Sequence, residues 1–106
     1  MKKFCEILWN ETEFDIKLRN ENYFDMKEYM LIKESLTENS QIWKKNGNIP
    51  LDDAVAIISL VEQLAGGNRF HDEDTALKTE NACIEIMEIV DGLFTFQEFE
   101  EKYKRR

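Results

Sequence analysis

Apolar residues recur along this chain at spacings of three, four and seven, and three glycine-containing stops divide them into blocks. In the first block Phe4, Ile7, Phe14 and Leu18 fall on one helical stripe and Cys5, Trp9 and Ile16 on an adjoining one. Phe14, Ile16 and Leu18 also alternate with Asp15, Lys17 and Arg19, as a short strand would. A lone strand has no partner to pair with, so the pattern favours helix. From Tyr23 to Trp43 the positions Tyr29, Ile32, Leu36 and Trp43 mark a helix that buries one face, with Met26 and Met30 beside it and Thr37 to Ser40 as an expected interruption. Asn46 to Pro50 reads as a turn, with Pro50 in the first turn of the next helix, where its missing N–H costs nothing. From Ala54 to Val61 only Ser59 is polar, which predicts a central helix over about 51–65 on which the others pack.

A fourth helix is expected to start near Asp72 to Thr75 and run to Val90. It would bury Ala76, Cys83, Ile86, Met87 and Val90 and leave Lys78, Asn81, Glu85 and Glu88 outside. A last helix follows Thr95, whose hydroxyl and Glu98 form the reciprocal pattern of a capping box, and ends in the basic run Lys102, Lys104, Arg105 and Arg106. Gly47, Gly66 and Gly92 each close a periodic segment, which predicts left-handed helix ends at all three. The whole chain, 1–106, is therefore expected to be one all-α domain of four to six helices.

Composition narrows the class. The chain has 106 residues, one Pro, four Gly, 42% hydrophobic and 34% charged residues, which suits a folded domain and excludes collagen-like or low-complexity architectures. No apolar run approaches the ~20 residues of a membrane span, and Met1-Lys2-Lys3 leads into Phe4-Cys5-Glu6 with no signal-peptide stretch, so a cytoplasmic location is expected. Two distant cysteines, Cys5 and Cys83, are expected to be free thiols.

Little points to catalysis, cofactor or metal. His71 is the only histidine, and no Ser or Cys nucleophile stands in a recognisable motif with it. One His and two distant Cys cannot make a zinc site, and Gly66-Gly67 follows a helix instead of joining a strand to one. The run Asp91-Gly92-Leu93-Phe94-Thr95-Phe96-Gln97-Glu98-Phe99 resembles the second half of an EF-hand calcium loop. In that alignment the first and third ligand positions fall on Met87 and Ile89, which offer no oxygen, so the alternative it implies is an adaptor built on a degenerate EF-hand-like helix pair that binds a partner helix.

Charge is more informative. Residues 1–50 hold nine acids and eight bases, whereas residues 51–101 hold thirteen acids against Arg69 and Lys78, and the chain as a whole carries −8. Such a surface repels nucleic acid and anionic membranes and attracts cationic protein. A small, acidic, helical chain with no catalytic apparatus resembles the immunity proteins that bacteria co-express with cationic nuclease toxins, including those of contact-dependent growth inhibition systems. The resemblance is one of profile, carried by length, charge and the clusters Asp52-Asp53 and Asp72-Glu73-Asp74. It implies a non-enzymatic inhibitor, without cofactor, that binds a basic toxin domain of nuclease type and covers its active site or blocks substrate access. Asp72, Glu73, Asp74, Glu85 and Glu88 are the candidate contacts, with Asp52 and Asp53 second. Phe70, Trp43 and Tyr23 are the candidate aromatic anchors.

Overall fold

A computed structural model describes residues 1–66, 70, 72–93 and 96–103, and of Phe96, Gln97 and Phe99 the backbone. These residues form six α-helices and no strand, in agreement with the all-α expectation. Helix α1 spans Phe4–Glu6 and runs directly into a π-helical turn, Ile7–Glu11, that buries Leu8. Helix α2, Phe14–Glu21, buries Phe14 and Leu18 one turn apart, so the alternating segment is helical and leaves Ile16 exposed. It ends on Asn22 in the left-handed region at φ 52°, with the Tyr23 N–H reaching back to the Lys17 carbonyl.

Helix α3, Met26–Asn46, starts at Asp25, whose carboxylate accepts the Glu28 N–H at 3.1 Å. It buries Tyr29, Ile32, Leu36 and Trp43 as the periodicity predicts, and Ser35 and Asn39 with them. The segment Thr37 to Ser40 does not interrupt it. Thr37 Oγ1 donates to the Lys33 carbonyl, Asn39 Nδ2 to the Ser35 carbonyl and Ser40 Oγ to the Thr37 carbonyl, so these polar side chains bond back onto the helix instead of breaking it. Gly47 closes α3 at φ +80°. Among the described glycines the left-handed expectation holds there only: Gly66 has φ −88° and Gly92 φ −68°, ordinary values that any residue adopts, and Gly67 lies outside the described residues.

Helix α4, Leu51–Ala65, is preceded by Pro50 as its N-cap, one position earlier than expected. Its inner face is Asp53, Ala56, Ile57, Leu60 and Leu64. Helix α5, Glu73–Asp91, buries Ile86 and partly buries Ala76, Cys83 and Val90 as expected, but Thr75, Thr79 and Ala82 are buried as well, Met87 is exposed, and Glu85 is half-buried. The threonines tolerate burial because Thr79 Oγ1 donates to the Thr75 carbonyl and Thr75 Oγ1 to Asp72, each at 2.7 Å, leaving only methyl groups to pack. Helix α6, Phe96–Tyr103, borders a cleft of about 740 Å3 with Trp43, Lys44, Gly47 and Ile49. The Thr95 cap, His71 and residues 104–106 lie outside the described residues.

Helix α4 packs on α5, α1 and α2, while α3 packs on α5, α1 and the π turn. The elements α1, α4, α5 and α3 thus close a ring around Phe4, Leu8, Ile32, Leu36, Leu60 and Ile86, all essentially inaccessible. Phe14, Phe24 and Tyr29 extend this core as an aromatic cluster with centroids 5.1 to 6.0 Å apart, and Phe4 meets Trp43 edge-on at 6.4 Å. Both cysteines are free thiols.

Candidate interaction surface

The acidic residues of α4 and α5, with the Asp72 that precedes α5, fall into three groups. The first is structural. Asp53 is 1% exposed and accepts the Cys5 N–H at 3.0 Å. That N–H belongs to the first turn of α1, where no intrahelical acceptor exists, and Lys3 offers no side-chain cap. Asp53 therefore caps α1 from across the molecule, and it corrects the expectation that this residue meets a partner. Asp72 is the N-cap of α5, accepting the N–H groups of Asp74 and Thr75 and the Thr75 hydroxyl, which holds its carboxyl below the usual range.

The second group is paired with lysine. Asp52 binds Lys3, Asp74 binds Lys78 at 2.8 Å, and Glu85 accepts from Lys33 at 2.7 Å and from the Tyr29 hydroxyl at 2.8 Å. Glu85 is therefore a tie between α5 and α3 and not a member of an outer stripe, a second correction; Lys33 foremost, then Tyr29, holds its carboxyl low.

The third group faces solvent. Glu73, Glu80, Glu88 and Asp91 are exposed along one side of α5, and no ion pair is found for them among the described residues. At about 100° per residue they share a stripe with Leu77 and Ile84, each 57% exposed, and with Met87 at its edge. On the neighbouring α4 the residues Leu51, Val55 and Ile58 are exposed at the same kind of spacing, followed by Glu62. The surface is thus one of exposed apolar side chains set among carboxylates with no ion pair among the described residues.

Sequence reading found Glu73 and Glu88 on this surface and missed Glu80, Asp91, Leu77 and Ile84. The available signal was that Leu77 and Ile84, seven apart, stand off the buried stripe. Of the aromatic anchors, Phe70 is 8% exposed and Trp43 is buried, both within the core, so neither is an exposed anchor; Tyr23 is exposed.

No family model, curated protein or solved structure matches this chain. Its surfaces must be read from their own chemistry. No helix among the described residues is long and apolar enough to cross a membrane. The Cys5 thiol and the carboxylates of Asp52 and Asp53 lie within 4.8 Å of one another. Burial, then Asp53, pushes that thiol up to about 11, away from the thiolate a metal needs, and Lys3 already occupies Asp52; the trio is a hydrogen-bonded helix junction. At the other end, Gly92 in a right-handed conformation ends α5 without the sharp turn of a calcium loop, so the EF-hand-like adaptor gains no support there.

Proposed function

We propose that this chain is an immunity-type inhibitor that binds a cationic toxin domain through the outer face of α5, with α4 beside it, and does no chemistry itself. The observation that supports this reading is the stripe of Glu73, Glu80, Glu88 and Asp91 interleaved with exposed Leu77 and Ile84. Carboxylates with no counter-cation among the described residues lose little by meeting a partner's Lys and Arg, because no ion pair found there has to break first. Exposed aliphatic side chains supply the desolvated contact that charge alone lacks. A nuclease must be basic where it holds phosphate, so a surface of this kind competes for the same cations and gains steered association, up to ~10⁸–10⁹ M⁻¹s⁻¹ at low salt.

The test is growth rescue, with this chain co-expressed against each basic nuclease-type toxin domain encoded in neighbouring reading frames. One such toxin is expected to be neutralised. Changing Glu80, Glu88 and Asp91 together to Lys should then slow association by about tenfold or more at low salt and flatten its salt dependence, while Leu77→Ala with Ile84→Ala should speed dissociation. Rescue of no toxin, or rescue unaffected by either set, would overturn the assignment.

A further inference from the structure

A second surface lies in the half of the chain whose charge is nearly balanced. The segment from Lys2 to Glu13, which contains α1 and the π turn, runs beside α3 and is tied to it at both ends. At one end Asn39 Nδ2 donates to the Lys2 carbonyl at 3.3 Å; at the other the Glu28 carboxylate accepts the Glu13 N–H at 2.6 Å. These anchors stand eleven positions apart on α3, a span of about 16 Å at 1.5 Å per residue. Between them the walls separate, leaving a hollow of about 450 Å3 that continues, past Glu11 and Leu31, into another of about 410 Å3. The floor is apolar, formed by Ile7 and by Leu31, which is 49% exposed in the middle of an otherwise polar helix side. The rim is acidic. Glu34 and Glu38 stand one turn apart on α3 with no ion pair found among the described residues, and Glu11 faces them, bound to Lys2.

We propose that this groove seats a cationic amphipathic helix of another protein, separately from the α5 stripe. The apolar floor calls for a side chain and the rim for positive charge. Glu34 and Glu38, about 6 Å apart along the axis, match cations at i and i+4 on a helix lying parallel to α3. A second copy of this chain, at −8, is the wrong sign for the rim, and nucleic acid is repelled by it. The clamped ends preorganise the groove, so little ordering is required on binding. A π turn inside a helical segment is a recurrent feature of functional surfaces, and here it packs on α3 and supplies Ile7 and Glu11 to the hollow.

The experiment is an NMR titration of the isotope-labelled full chain with a synthetic Leu/Lys amphipathic peptide of about 14 residues, long enough to form a helix when bound. Saturable amide shifts are expected at Ile7, Glu11, Leu31, Glu34 and Glu38. Leu31→Ala, and separately Glu34→Gln with Glu38→Gln, should each weaken binding by about tenfold. Leu77→Ala with Ile84→Ala should leave it unchanged. All these side chains are on the surface, and the spectrum of each unbound variant verifies its fold. Shifts centred on α5 or spread over the whole surface would overturn the proposal. So would equal binding of a Ser/Lys peptide of the same charge, or insensitivity to Leu31→Ala.

Discussion

Replacing Asp53 by Ala separates a structural acid from a binding one. The substitution leaves the Cys5 N–H without its acceptor in a buried position, at a cost of about 1–3 kcal/mol. It also removes a negative charge from the first turn of α4, worth about 0.3–1 kcal/mol. The sum, about 1.5–4 kcal/mol, is a large part of the roughly 5–15 kcal/mol that holds a small domain together. At this length about 4 °C is lost per kcal/mol, so the melting temperature should fall by roughly 6–16 °C. Asp53→Asn retains an oxygen at the same place and should lose no more than about 1 kcal/mol. Urea unfolding followed by far-UV circular dichroism reads both, with the slope expected to stay constant and the midpoint to move. Asp52→Ala, one residue away and exposed, is the control: it removes the same first-turn charge and the Lys3 pair but no buried acceptor, and should move the midpoint far less than Asp53→Ala does. The reasoning fails if Asp53→Ala stays within about 0.5 kcal/mol of the native chain, or if Asn is as damaging as Ala.

Other substitutions probe the remaining links. Gly47→Ala meets no atom within 4 Å but must hold φ +80°, so it should cost about 1–2 kcal/mol through backbone strain alone, measured by the same unfolding curves. The Cys5 thiol is raised from 9.0 to about 11 by burial and by Asp53, so the fold favours its protonated form. The stability this contributes is complete below pH 9 and is lost as the pH rises towards 11. Cys5→Ser should flatten that part of the alkaline decline, and an identical decline in both proteins would refute the linkage. Asp72→Ala should quicken amide exchange at Asp74 and Thr75, the two N–H groups it caps, while Asp72→Asn should largely preserve their protection.

Local pattern determined a good deal of this protein. The stripe Tyr29, Ile32, Leu36 and Trp43, the extent of α4, the stop at Gly47 and the free cysteines are all readable because each depends on residues within a few positions of one another, or on composition. The acidic excess is likewise a property of the chain itself. What each acid does was settled by tertiary structure. Asp52 and Asp53 are neighbours of the same type, yet one lies at the surface on Lys3 and the other is sealed against Cys5, 48 positions away. Periodicity ranks residues by hydropathy, so it placed Met87 inward and Glu85 outward. In the fold Met87 is exposed and Glu85 half-buried, held at the seam by two donors on α3, while the buried threonines satisfy their hydroxyls locally. Whether a carboxylate is free to meet another molecule depends on which donors the fold brings within reach, and those donors are distant in the chain.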